Sequence, residues 1–400
     1  MLALNSLPGL SAPRSWLAVS AAALATFSVV TTEMLPVGLL TSIAGSLGST
    51  TGSTGLVISL PALLAALFAP MVVIAAAGMD RRQLLCGLLM LLVLANIASA
   101  LAPSLEWMLI ARVLVGLCIG GIWAIAGGLA ARLVPASSIG LATSIIFGGV
   151  AAASVLGVPL GAWIGDMLGW RWAFVCMAVL SAVVLLLHMV FLPPLAANNV
   201  ATVRQFRKLL TVRSVQMGLC LTLLLVAGHF AAFTFVQPLL LSVSGFEARW
   251  MGVLLFVYGM AGIAGNFLAG TVAARHTLPT LTVITLGLLW VPLMLLAVGD
   301  SQMGGGSVLL IWGLVYGGVS VGLMTWMMKV APQALEVVTA LYVAVFNIGI
   351  ALGAWVGGKV VDDMGLTANL WLTATLAAGA ALVVFSMTQS KQTPGVSAKG

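Results

Sequence analysis

Apolar runs of about twenty residues follow one another along almost the whole chain, with little between them. A helix needs roughly 20 such residues to cross the hydrocarbon of a bilayer. Only helices and closed barrels satisfy their backbone groups there. Twelve runs qualify: 16–41, 54–77, 83–101, 106–131, 138–164, 172–192, 214–241, 248–272, 278–298, 306–328, 335–358 and 367–387. Charged residues make up 6% of the chain, against about 25% in soluble domains. The sequence therefore predicts an all-α membrane protein with twelve transmembrane helices. The first run follows a single Arg14 and is too long for a signal peptide, so it reads as a retained span.

The net charge of +7 needs no nucleic-acid partner, because its distribution over the connections accounts for it. With the N-terminus inside, the cytoplasmic segments hold Arg14, Arg81, Arg82, Arg132, Arg204, Arg207, Lys208, Arg213, Arg275, Lys329, Lys391 and Lys399. The outer side holds Arg171, Arg249 and Lys359. This bias orients both termini and the long central connection to the cytoplasm. In that connection basic residues alternate with Phe206, Leu209, Leu210 and Val212. The pattern suits a short helix on the membrane surface or a disordered linker.

An internal repeat divides the chain. Leu160-Gly-Ala-Trp-Ile-Gly165 recurs as Leu352-Gly-Ala-Trp-Val-Gly357, and Arg132-Leu-Val-Pro135 as Lys329-Val-Ala-Pro332. Gly78 with Arg81 matches Gly270 with Arg275, and Thr32-Glu-Met-Leu-Pro36 lines up with Thr234-Phe-Val-Gln-Pro238. The order predicts two pseudo-symmetric six-helix halves, 1–192 and 214–400, joined by a cytoplasmic linker at 193–213.

One acidic residue, Glu33, lies deep in a span, with Pro36 three residues on. A carboxylate in hydrocarbon is costly and faces a bundle interior or a water-filled cavity. The proline removes a backbone donor and loosens the helix beside it. Arg112 lies inside the fourth span, and both residues fall roughly 9–12 Å below the outer boundary at 1.5 Å per residue. An opposite charge within reach would hold each ionised. The pair reads either as a proton site or as a static buried ion pair.

These residues resemble the major facilitator superfamily, and within it the twelve-span drug:proton antiporter branch that includes bacterial sugar-efflux and purine-ribonucleoside exporters. The resemblance rests on Thr32-Glu-Met-Leu-Pro-Val-Gly-Leu-Leu40, Ile110-Ala-Arg-Val-Leu-Val-Gly116, Gly157-Val-Pro-Leu-Gly161, Gly169-Trp-Arg-Trp172 and Phe346-Asn-Ile-Gly349. The family's loop signature is shortened here to Gly78-Met-Asp-Arg-Arg82, and Ala274 stands where the second half would carry an aspartate. Asp80 suits the start of the third helix as a cap, and Arg81 and Arg82 suit topology-setting anchors.

The resemblance implies proton coupling through Glu33 and Arg112. It also implies export, because Gly157, Pro159 and Gly161 in the fifth span mark antiporters in that family. The physics of those glycines alone says only close helix packing. The implied protein works as a monomer in the bacterial cytoplasmic membrane, exchanging protons for a small sugar, nucleoside or uncharged drug. Proton-driven uptake of a small polar solute is the alternative. Near the midplane, His229 and Asn347 suit cargo contact, a second proton site or plain helix–helix bonding. Gln237, Trp123, Phe233 and Trp326 complete the candidate cargo-binding set. Four scattered cysteines give no disulfide framework or metal spacing. No phosphate-binding loop is present, and a single midplane histidine with one deep acid is poor material for an enzyme, so no cofactor is expected.

Overall fold

The computed structural model describes residues 12–75, 79–135, 138–195 and 203–392. Gly78 of the loop signature lies outside the described residues. The first crossing is α1 (Ala12–Met34), continued through a 3-10 turn at Leu35–Gly38 into α2 (Leu40–Leu47). The second consists of α3 (Thr51–Thr54) and α4 (Leu56–Ala75), and the next two are α5 (Arg81–Ala100) and α6 (Leu105–Leu133). In the fifth, α7 (Ile139–Ala152) passes through a π-turn at Ala153–Gly157 into α8 (Val158–Leu168), and α9 (Trp170–Phe191) is the sixth. Between the halves lies α10 (Val203–Leu210), so this described part of the central connection is helical where the sequence allowed helix or disorder.

The second half opens with α11 (Arg213–Phe233), α12 (Val236–Pro238) and a π-turn at Leu239–Val243. Continuous α13 (Met251–Val298) makes two crossings with a reversal at His276, and α14 (Gln302–Val330) makes one. The last helical run, α15 (Leu335–Gln392), also reverses, at Gly365 with φ 85°. Its apolar stretch Ala340–Gln389 is 50 residues long, or about 75 Å at 1.5 Å per residue. That is more than twice the roughly 30 Å of hydrocarbon, and a left-handed turn that favours glycine supplies the fold-back. Eleven apolar helical stretches among the described residues therefore give twelve crossings. Both described ends, the central connection and the His276 reversal share one face of the bundle, here the terminal face. The turns at Gly48, Gly169, Gly245 and Gly365 share the opposite face.

Both proline motifs paired by the repeat break their helices. Helix α1 ends at Met34, one residue past Glu33, and α11 ends at Phe233 ahead of Pro238. Side chains cap the ends where the sequence offers them: Asp80 accepts from the Arg82 and Gln83 amides at the start of α5, and Ser104 and Ser301 cap α6 and α14. Large apolar side chains on the outer surface, among them Ile110, Leu186, Phe267, Val283, Leu382 and Phe385, are exposed and meet lipid rather than protein.

Helices in a bilayer gain little from the hydrophobic effect between them and depend on close packing. In the first half Gly149, Gly157, Gly161 and Gly165 lie against Ala23, Thr31, Leu35 and Leu39 of the first crossing. In the second, Gly349, Gly353 and Gly357 lie against Val226, Ala227 and Ala231 of α11. A Cβ at Gly353 would strike the Ala227 backbone, whereas one at Gly148 meets nothing within 4 Å. Gly353→Ala is therefore expected to lower the unfolding temperature, with an overpacking cost of about 1–3 kcal/mol. Gly148→Ala should leave it unchanged or raise it, since alanine is the better helix former. Equal shifts for the two variants in a thermal-unfolding assay would count against the seam.

Candidate functional site

Glu33 sits in the last turn of α1, 4% exposed, and Arg112 on α6 is fully buried. The Arg112 Nη1 donates to the Thr32 carbonyl at 2.8 Å, and its guanidinium lies 4.8 Å over the Phe174 ring. The two charges are near enough to act on each other, yet no ion pair within 4.0 Å joins them. Glu33 Oε1 and Arg112 Nε and Nη2 have no hydrogen-bond partner among the described residues. An acid and a base thus share a buried site beside a helix break. Leaving such a group unsatisfied costs about 1–3 kcal/mol, and more when it is charged, so the site favours whatever supplies the missing bond.

A buried polar network holds the surrounding helices. The Asn96 amide of α5 donates to Thr32 Oγ1 at 3.2 Å and to Ser181 Oγ at 3.5 Å, and Ser181 of α9 lies 2.9 Å from Ser28 of α1. With the Arg112 bond, this network ties α1, α5, α6 and α9 around Thr32, next in the chain to Glu33. None of Asn96, Ser28 or Ser181 belongs to a pattern that sequence reading singles out; an asparagine in the last turns of α5 was the available signal.

In the second half His229 is 3% exposed. Its Nδ1 accepts from Trp312 Nε1 at 3.0 Å, and its ring stacks on Tyr316 and on Phe233. Phe233 in turn stacks on Tyr258 at 4.7 Å between centroids. The void beside His229 and Trp312 is only about 10 Å³, room for one water at most. His229 and Phe233 are thus brought together, but in an aromatic cluster rather than on an open chamber. Asn347 is buried and donates to its own helix at Val343 O. Trp123 is half-buried among apolar side chains of the first half. Trp326 lies farther toward the terminal face, its Nε1 on Ser214 O. In the loop signature, the Arg81 amide donates to Leu195 O and Arg82 to Met189 O.

Gln237 has a different neighbour: its Oε1 accepts from the Thr41 amide, across the two halves, at 3.1 Å. Other cross-half contacts lie nearby, toward the opposite face. Gly38 meets Leu255, Gly252 meets Pro159 and Trp163, and Gly55 meets Phe235. The Asp362 carboxylate caps α3 of the first half, accepting from the Gly52 amide at 2.8 Å, the Ser53 amide at 3.1 Å and the Thr50 hydroxyl. Gly52 and Gly358 approach so closely that a Cβ on either would meet the other's carbonyl. Asp362 closes this face, and sequence reading passes over it because it stands beyond the apolar part of its span. Its loss removes charge-assisted bonds worth about 1.5–3 kcal/mol each. Asp362→Ala should therefore lengthen the distance between spin labels at exposed Leu101 and Met303, one on each half. An unchanged distance distribution would show that the carboxylate does not hold the halves together.

The sequence profile of the Major Facilitator Superfamily matches residues 22–354. Over 388 residues the chain is 34% identical to the transcription regulatory protein OpdE of Pseudomonas aeruginosa, covering 95% of this chain and 96% of that one. Its fold is similar to that of a bacterial homolog to the human lysosomal transporter Spinster in an inward-facing and occupied conformation. There the TM-score is 0.76 at 16% identity, covering 95% of this chain and 98% of that one. The unoccupied inward-facing form of the Spinster homolog gives a TM-score of 0.73 at 16% identity, covering 96% and 98%.

Proposed function

Because the chain belongs to the major facilitator superfamily, and so is a multi-pass membrane transporter rather than an enzyme, we propose that it exports a small uncharged organic molecule in exchange for protons. The observation that carries this reading is Glu33: a buried carboxylate at a helix break, with an unsatisfied oxygen and Arg112 nearby. In this reading the terminal face is cytoplasmic, as the basic-residue bias requires, and the protein works as a monomer in the bacterial inner membrane. The halves touch toward the opposite face, so the conformation is closed to the outside.

Protonation of Glu33 from outside and binding of cargo from inside drive the cycle only when each prefers a different state. Arg112 holds the deprotonated acid, and a proton on Glu33 frees the guanidinium from that duty. The cargo path lies between the halves. Neutral Asn347 and Gln237 suit sugars, nucleosides or uncharged drugs better than polyanions. The glycine and proline pattern of α7 and α8 favours export over uptake by family resemblance. The Pseudomonas relative is named as a regulator of transcription.

Orientation is tested by labelling. A cysteine replacing Gln205 should be protected from an impermeant thiol reagent in intact cells, and one replacing Glu247 should react. The reverse pattern would invert the direction of export.

Coupling is tested in liposomes, after a thermal-shift screen of monosaccharides, ribonucleosides and an amphenicol has fixed a cargo. Glu33→Gln keeps the shape of the neutral acid while removing the proton site. Cargo–cargo exchange should persist, and accumulation driven by a pH gradient should fall to that of protein-free liposomes. Retained gradient-driven accumulation per folded protein would place the proton site elsewhere.

A further inference from the structure

Asn266 interrupts the apolar first crossing of α13 about 15 Å along the helix from the reversal at His276, near mid-membrane, and it is exposed. An amide facing hydrocarbon loses its hydrogen bonds at a large cost, whereas one facing water keeps them. The helical stripe on which it lies decides which it meets. Higher on α13, Gly252 meets Pro159 and Trp163, and Gly38 meets Leu255, so this stripe faces the first half. Asn266 continues the stripe at helical spacing. The stripe is buried at Leu255 and Gly259 and exposed at Asn266, so the halves part between those levels. Phe267, 69% exposed, points about 100° away, toward lipid.

Ser320 of α14 is also exposed, about 15 Å from the helix end at Val330. Gly262 against Gly317 and Gly270 against Val321 set α13 and α14 side by side at this level. Gly318 and Gly322 pack on Ile284 in the second crossing of α13. Ser320, two residues from each, lies on the other side of its helix. The buried Tyr342 hydroxyl of α15 lies close to Ser320 without a formed hydrogen bond. Three helices thus bring neutral hydrogen-bonding groups to one level. An amide presents a donor and an acceptor side by side, and a hydroxyl can do either. Neighbouring hydroxyls on a ring present the same pair, so the two sets match. We infer that Asn266 and Ser320, with Tyr342 behind them, hydrogen-bond the hydroxyls of a sugar ring in the path between the halves. A monosaccharide and the ribose of a nucleoside both carry that chemistry. As a cargo site it rests on the export reading, yet its residues are apart from Glu33, so each can fail alone.

Open membrane fragments, in which both faces meet the reagent, are treated with a charged methanethiosulfonate. Asn266→Cys and Ser320→Cys should react above the background of the unsubstituted chain, and Phe267→Cys should not. The full chain in detergent is then titrated by calorimetry with glucose, ribose, adenosine and dideoxyadenosine. Binding of glucose or ribose identifies a monosaccharide site. Binding of adenosine that is lost with dideoxyadenosine identifies a ribonucleoside site. In either case Asn266→Ala and Ser320→Ala should each weaken binding about three- to tenfold, the loss of one neutral hydrogen bond, in proteins that melt normally. Asn266→Cys or Ser320→Cys no more reactive than Phe267→Cys would overturn the proposal. So would failure of glucose, ribose and adenosine to bind, equal binding of adenosine and dideoxyadenosine, or binding unmoved by both alanine variants. Accumulation that still follows a pH gradient and still needs Glu33 would then leave the export reading standing.

Discussion

The bilayer core offers no water to a polar group, and this single constraint organises the molecule. Among the described residues, backbone groups there are satisfied mainly within helices, and many buried polar side chains by their own helix or a neighbour. Thr222, Thr285 and Thr373 each return their hydroxyl to a carbonyl one turn back. Against that background, Glu33 and Arg112 are the carboxylate and guanidinium among the described buried residues whose bonding is incomplete, beside neutral groups such as Thr31, Thr234 and Tyr258. A neutral group without a partner costs less than a carboxylate or a guanidinium, so the largest unmet demand sits at Glu33 and Arg112. In a transporter, that is where a travelling proton or solute gains most by arriving.

The fold was legible in the sequence because length and hydropathy decide so much in a membrane. Run lengths located all twelve crossings to within a few residues. They succeeded even where α13 and α15 run on through a reversal, since 50 apolar residues exceed one membrane thickness. The proline motifs marked real breaks for the same reason: a missing amide cannot be replaced by lipid.

The site was less legible, because its parts meet across long chain separations. Asp362 looks like a loop charge until α3, 310 residues away, presents its amides to it. Gln237 has the composition of a cargo ligand, yet in this conformation it holds Thr41 across the halves. His229 is buried on α11, but Trp312 and Tyr316 enclose it, and neither was readable as its partner from spacing. Asn96, by contrast, carried a signal of its own, being an asparagine within the apolar part of α5.

These contacts lie along one continuous segment. Between Glu33 and Thr41 the chain leaves α1, turns through Leu35–Gly38 and enters α2. Within those nine residues it presents an acid to Arg112, packs Leu35 and Leu39 on the Gly161 and Gly165 seam, sets Gly38 against Leu255, and gives the Thr41 amide to Gln237. A regular helix would spread these contacts over separate turns and let each relax alone. The 3-10 turn makes them one piece, seated in glycine notches where little slack exists. In the proposed cycle, a change of charge at Glu33 therefore acts on the segment that also bridges the halves. Proximity along the backbone supplies the coupling, with no chain of side chains needed between the proton site and the gate.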